Sequence, residues 1–302
     1  MSYADLLDHL HEDVAAPHHL RDDHGSEFRR CFNQRSFLFE HDLDREPLLS
    51  LPSLAALAAR LEPQGSYYWS KDAAAIGDGW DAGRAARCGL AEAVATIERQ
   101  NSLIMLKNAI DDPLFGPLFH GIVEQIHALC GIAMRDDVVV ARATILIASP
   151  GRWTPYHADA DSNFLMQIAG DKTFGVFSHT DRTLVTHGEI ERLLCGDLNG
   201  VCYKPDRRHD AAVHDLRPGH GIHVPTFAPH WARNGSDVSI ALSLNFDLKS
   251  IGRLASVCRV NRHMRRLGLR PAAPGLHPWR DEAKALAASM RPGRLLRQPR
   301  GR

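Results

Sequence analysis

Between residues 138 and 248 the chain is cut into short apolar runs, each bounded by Gly, Pro or Asp, and this spacing constrains the fold more than any other feature. VVVARATILIASPG (138–151), NFLMQIAG (163–170), KTFGVFS (172–178), AAVHDLRPG (211–219), GIHVPTF (221–227) and VSIALSLNFDL (238–248) have the length and β-branched content of strands. Most of the gaps between them are too short for crossover helices, so the expected architecture is an antiparallel sandwich or barrel, not a βαβ sheet. GEIERLLCG (188–196) reads as a brief helical insertion.

The flanks have a different texture. Residues 3–22 read as a short polar helix, 35–43 (RSFLFEHDL) as a strand, and 51–61 (LPSLAALAARL) as a helix with Ser50 at its N-cap. SYYWS (66–70) reads as a strand, AEAVATIERQ (91–100) as a helix and SLIMLKNAI (102–110) as a strand. FGPLFHGIVEQIHALCG (115–131) has helical periodicity and ends on Gly131, a C-terminal cap. After Asp247 the chain turns helical and basic, over 256–268 and 281–291, and its last residues look frayed. The expected layout is a mixed α/β extension over 1–136 packed on a β core over 137–248, followed by a basic helical region over 249–302.

The 302 residues are 44% apolar and 24% charged, the composition of an ordinary globular protein. No apolar run reaches membrane-spanning length, and the acidic start lacks a leader pattern, so a cytoplasmic protein is expected. Six scattered cysteines without a C-x-x-C pair speak against a zinc knuckle or a disulfide framework and for reduced thiols. Net charge is zero but uneven: from Lys249 onward there are 14 Lys/Arg against 2 Asp/Glu, a local balance of +12, which leaves −12 for residues 1–248. Such a region can meet nucleic acid, an acidic partner or an anionic lipid surface. Packing against the acidic body of its own chain, or simple solvation, is the plainer expectation, and a nucleic-acid partner the lesser one.

TPYHADADSNFLMQIAGDKTFGVF (154–177) carries one of three His-x-Asp triplets, His157/Asp159. Alternate residues of a strand share a face, so these two side chains can grip a divalent metal together. Two imidazoles and one carboxylate occupy one face of an octahedron and leave three positions open, the ligand set of non-haem Fe(II) oxygenases. A third ligand must come from a later strand, and PGHGIHVPTFAPHWARN (218–234) offers His220, His223 and His230. His230 is favoured, with His223 next. The other triplets lack such surroundings: His179/Asp181 reads as a solvent-facing turn and His11/Asp13 as helix surface.

Three separated blocks together resemble the JmjC and cupin-like 2-oxoglutarate oxygenases, and among them most closely the asparaginyl hydroxylases of the factor-inhibiting-HIF type. The family pattern T-P-x-H-x-D, N-F, Q-x-x-G-x-K is matched by Thr154, Pro155, His157, Asp159, Asn163, Phe164, Gln167, Gly170 and Lys172. A second block is matched by Pro218, Gly219, Pro225 and His230, and a third by Asn245-Phe246. His220 replaces an acidic residue usual after P-G, His223 stands where an aromatic is common, and Ala228-Pro229 stand where two aromatics often precede the distal histidine. The resemblance spans about residues 140–247. It implies a mainly β fold with flanking helices around a double-stranded β-helix, the jelly roll of cupins.

It also implies that His157, Asp159 and His230 bind Fe(II). The cosubstrate 2-oxoglutarate then chelates the metal, with Lys172 and Thr154 holding its distal carboxylate and Asn163 and Asn245 near its C1 carboxylate. O₂ is the oxidant, and succinate and CO₂ are released. The substrate is a protein or peptide side chain or a small molecule, and helices after the barrel form a homodimer interface. Two other readings stand beside this one: a metal-binding cupin acting as a sensor or regulatory module, and a metal-dependent isomerase. A carboxylate anchor at Lys172 separates the oxygenase from both. Tyr67, Tyr68, Trp69 and Trp153 are candidates for a substrate cleft or for core packing.

Overall fold

The computed structural model describes residues 19–21, 25–71, 75–79 and 88–289. The polar helix expected over 3–22 and the end of the basic tail lie largely outside the described residues, as does His11/Asp13. Residues 19–21 are extended, not helical, and Leu20 forms an isolated bridge with His41.

The strands are β1 (Phe37–Glu40), β2 (Tyr67–Lys71), β3 (Ser102–Leu106), β4 (Val138–Ala148), β5 (Trp153–His157), β6 (Ser162–Ala169), β7 (Lys172–Val176), β8 (Ala212–Leu216), β9 (His220–Val224), β10 (His230–Asn234) and β11 (Ser239–Leu248). They form a seven-stranded sheet of order β1-β9-β6-β11-β4-β3-β2 and a four-stranded sheet of order β5-β10-β7-β8. Every pairing is antiparallel. From β4 to β11 the chain passes back and forth between the sheets, except that β7 and β8 are paired neighbours in the smaller one, which makes the double-stranded β-helix expected from the sequence, with helices on the outside. β1, β2 and β3 extend the larger sheet at its two edges.

Alternation explains why the larger sheet is apolar on one face and mixed on the other. On β4 the residues Ala143, Ile145 and Ile147 are fully buried, as are Leu242, Leu244 and Phe246 on β11. They join one core with Phe119, Ile122 and Ile126 of the helix Gly116–Cys130. That helix ends at Gly131, which has a φ of +72°, as the sequence indicated. Phe164 of β6 sits in the same core, stacked on Phe28 at 5.7 Å and edge-on to Phe246 at 5.8 Å. A smaller apolar cluster, including Leu165, Phe174 and Val224, lies between the sheets.

One local expectation is corrected. Ser50 precedes the helix Leu51–Leu61, but its hydroxyl bonds Pro47 O and Ser53 Oγ instead of capping a backbone N–H. His230 opens β10. The basic helices Lys249–Arg266 and Pro278–Ser289 pack on each other, and two of their ion pairs, Arg253–Glu282 and Lys284–Asp281, are internal to that unit. Among the described residues only Arg265–Glu191 joins a basic side chain of this region to a carboxylate of the body. No helix among the described residues is long and apolar enough to cross a membrane.

Candidate metal centre

β5 ends at His157 and β10 begins at His230, and the two residues are direct partners in the sheet. The next pair is Ala232 with Thr154, so three steps on β5 match two on β10. In a regular strand Thr154 and His157 would face opposite sides; this bulge turns both into one cavity of ≈ 390 Å³ between the sheets. Asp159 corrects the sequence reading. It lies in the loop after β5, not on the strand, and its carbonyl is held by the Phe227 N–H at 2.8 Å.

The imidazoles have their tautomers set by the backbone. His157 Nδ1 lies 2.8 Å from Pro155 O and His230 Nδ1 lies 2.9 Å from Ala228 O. A carbonyl only accepts, so each Nδ1 carries a hydrogen and Nε2 is the atom each ring can offer a metal. Those Nε2 atoms stand 3.6 and 3.7 Å from Asp159 Oδ2, beyond a good hydrogen bond. Burial, then the neighbouring His157, pushes His230 down to about 4, which keeps it neutral at ordinary pH. Burial alone would raise the Asp159 carboxyl, but His157 and then His230 and Arg142 outweigh it and hold it at about 2.

Three ligand atoms therefore converge within 4.8 Å of one another. The charges point the same way. Asp159, Asp161 and Asp247 surround the single guanidinium of Arg142, and burial and then Asp159 push the Asp161 carboxyl up to about 7, a crowding of carboxylates that a divalent cation would relieve. The donor set fits Fe(II) or a similar ion.

Lys172 enters the same cavity from β7. It shares a face with Phe174, whose ring stacks on His230 at 5.4 Å. The Q-x-x-G-x-K spacing has a local cause. Gly170 turns the chain from β6 to β7 at a φ of +67°, and a Cβ there would meet Val238 O at 2.5 Å. The Gln167 amide donates to Ala169 O at 2.7 Å and Gly170 O at 2.8 Å, bracing that turn. Lys172 is 6% exposed and has no hydrogen-bond or ion-pair partner among the described residues. Burial pulls its pKa down to about 8.

Asn163 and Asn245 are cross-strand partners that also line the cavity. Ser243 links them: Asn163 Nδ2 donates to Ser243 Oγ, which donates to Asn245 Oδ1 at 3.0 Å. Sequence reasoning missed Ser243 and Arg142. The spacing of Ser243 two residues before Asn245 on one strand was a usable signal; Arg142, across the sheet from Asn245, gave none.

The other histidines stay out of the cavity. His223 is fully buried among Phe32, Phe37 and Phe164, with Nδ1 donating to Asn163 O at 3.0 Å and Nε2 accepting from Asn33 N–H at 3.0 Å. Both ring nitrogens are used, so it is not a third ligand. His220 opens β9, and its carbonyl faces His41 Nε2 at 3.2 Å. Of the aromatic candidates Tyr68 lines the cavity, Trp69 is core, and Trp153 packs on Trp231 at 5.4 Å. Asp181, near His179, pairs with Arg207 at 3.0 Å.

No protein-family profile and no curated protein sequence matches this chain. Solved structures do. The ribosomal oxygenase YcfD from Escherichia coli in complex with cobalt and 2-oxoglutarate is similar with a TM-score of 0.50 and 14% identity, over 94% of this chain and 69% of that one. The same protein with cobalt and succinic acid gives a TM-score of 0.48 and 15% identity, over 94% and 69%. At 14% identity the first match establishes a shared fold.

Proposed function

We propose that this protein is an Fe(II)- and 2-oxoglutarate-dependent oxygenase that hydroxylates a protein or peptide side chain or a small molecule, releasing succinate and CO₂. One observation carries the reading: Lys172, a buried ammonium without a partner among the described residues, lines the same cavity as the converging His157, Asp159 and His230. A buried unpaired cation is unfavourable unless a ligand supplies the anion.

His157, Asp159 and His230 would hold the iron, which supplies when bound the O₂ activation that side chains cannot provide. Lys172 and the Thr154 hydroxyl would take the distal carboxylate of 2-oxoglutarate. Asn163 and Asn245, oriented by Ser243, would face its C1 carboxylate end. Leu165, Phe174 and Val224 keep water from that inner part of the cavity. The shared fold with an oxygenase solved with cobalt and 2-oxoglutarate supports the reading. The kinship with asparaginyl hydroxylases rests on the sequence motifs alone, and a protein or peptide substrate is the one it favours. Fe(II) and free cysteines suit a reducing, cytoplasmic setting. The C-terminal helix pair, with exposed Leu269, Leu276 and Trp279, is proposed as a homodimer contact, which sedimentation would test.

The experiment is succinate release from 2-oxoglutarate by the purified protein with Fe(II) and ascorbate, together with direct binding of 2-oxoglutarate. Binding and turnover that depend on Lys172 are expected. Metal binding without any binding of 2-oxoglutarate would replace the oxygenase by a regulatory metal-binding module.

A further inference from the structure

The two imidazoles of the candidate centre are fixed by strands of the four-stranded sheet, but Asp159 is not. It stands beyond the end of β5 with its side chain 42% exposed, against 9% and 10% for His157 and His230. Its loop crosses from the four-stranded to the seven-stranded sheet. A ligand on such a loop needs support from outside its own strand.

Two supports are visible. On one side the Phe227 N–H holds the Asp159 carbonyl at 2.8 Å. On the other, Asp161 Oδ2 accepts from Arg142 Nη2 at 3.1 Å. Arg142 is itself set by both oxygens of Asp247, through Nη1 to Oδ2 and through Nη2 to Oδ1 at 2.7 Å. Arg142 lies on β4 and Asp247 on the adjacent β11, where Asn245 pairs with Arg142 and Asp247 with Val140. The fork therefore fixes the guanidinium plane on the larger sheet and leaves an N–H aimed at the loop. The same guanidinium also screens Asp159 from Asp161, two carboxylates two residues apart.

We infer that Arg142 is a positioning residue for the metal: braced by Asp247, it clamps Asp161 and so sets the Asp159 carboxylate opposite His157 and His230. The inference rests on the metal site proposed above. The clamp fixes the third ligand from one sheet while the other sheet fixes the first two, so it sets the distance between them at the cavity mouth. Lysine cannot replace it, since one ammonium does not reproduce a planar fork to two carboxylates.

The test is titration of the metal-free protein with Co(II), read by the visible absorption of the bound ion and by equilibrium dialysis. Arg142→Met is expected to weaken Co(II) binding by about 10- to 100-fold and to alter the absorption of what still binds. Asp161→Ala, which leaves the Arg142–Asp247 pair intact, is expected to do the same, and the double variant to be no worse than the worse single one. Arg142→Lys should recover little. Folded Arg142→Met or Asp161→Ala protein that binds Co(II) within twofold of the unaltered chain, with the same spectrum, would overturn the clamp, even if its melting temperature falls. Should Arg142→Met not fold, Asp161→Ala decides alone. Unaltered protein that binds no Co(II) would overturn the metal site itself, and the clamp with it.

Discussion

His157 and His230 face each other across β5 and β10 with ring centroids 4.1 Å apart, and each gives its Nδ1 proton to the carbonyl two residues before it. The backbone thus aims both Nε2 lone pairs at one point before any metal arrives. Replacing either ring by Ala removes a donor and leaves a buried carbonyl without its N–H. We expect His157→Ala and His230→Ala each to lower Fe(II) or Co(II) affinity by roughly 100-fold or more, with a stability loss of about 1–3 kcal/mol from the orphaned carbonyl. Equilibrium dialysis and urea unfolding measure the two effects separately, and metal affinity unchanged in either variant would remove that histidine from the site.

Lys172 predicts opposite effects on stability and binding. The ligand-free protein holds a buried ammonium without a partner among the described residues, so Lys172→Met should stabilise it by about 1–3 kcal/mol while abolishing 2-oxoglutarate binding. The pH dependence has a definite sign. Burial sets the Lys172 pKa at about 8, below its ordinary 10.5, so the unfolded chain binds more protons between those values and stability rises with pH across that window. A bound carboxylate favours the ammonium. Affinity for 2-oxoglutarate should therefore be level below pH 8 and fall by up to about tenfold per unit above it. Calorimetric titration at several pH values tests this; affinity that stays level up to pH 9.5 would show that the anchor is not Lys172.

Strand alternation is the part of this architecture that a sequence states openly. The short bounded runs became strands, and Lys172 opens one of them, but β5 and β10, which carry His157 and His230, fall in the gaps between those runs. What alternation cannot state is register. His223 and Val224 are neighbours on β9, and only the pairing of β9 with β6 decides that Val224 faces the cavity while His223 faces the phenylalanines. Thr154 reaches the site through a bulge, a one-residue irregularity without a residue signature here. Arg142 meets Asp247 across 105 residues of chain, a contact that exists only once β4 and β11 lie side by side. The motif resemblance pointed to Asp159 but not to the loop that carries it.

Two histidines make the fold acid-sensitive. His223 and His41 are buried and neutral, and burial holds them at about 3 and about 4 against an ordinary 6.5. Each accepts a backbone N–H on one nitrogen, from Asn33 and Leu43 respectively, and protonation destroys that bond. Between pH 6.5 and those lower values the unfolded chain binds more protons, so stability is complete above about 6.5 and declines as pH falls. The slope approaches about 1.4 kcal/mol per pH unit for each group. Urea midpoints of metal-free protein at pH 7 and pH 5 should differ accordingly, and His223→Gln should flatten part of the difference. Equal midpoints would show that these rings are not held neutral.

The turn that delivers Lys172 tolerates one residue type. Gly170 adopts a φ of +67°, and a Cβ would lie 2.5 Å from Val238 O and 3.1 Å from its carbonyl carbon, backbone atoms that cannot swing aside. Gly170→Ala therefore combines left-handed strain, about 1–2 kcal/mol, with a backbone clash that must push the β6–β7 turn away from residue 238. The Gln167 amide, which braces Ala169 O and Gly170 O, would lose its geometry in that movement, and Lys172 two residues on would shift with it. We expect Gly170→Ala to cost more than about 2 kcal/mol and to weaken 2-oxoglutarate binding by about tenfold or more in the protein that still folds. Co(II) affinity should change little, because His157, Asp159 and His230 hang on other elements. Loss of metal and 2-oxoglutarate binding together would mean that the turn supports the whole cavity; loss of neither would mean that the β6–β7 turn has room the structure does not show.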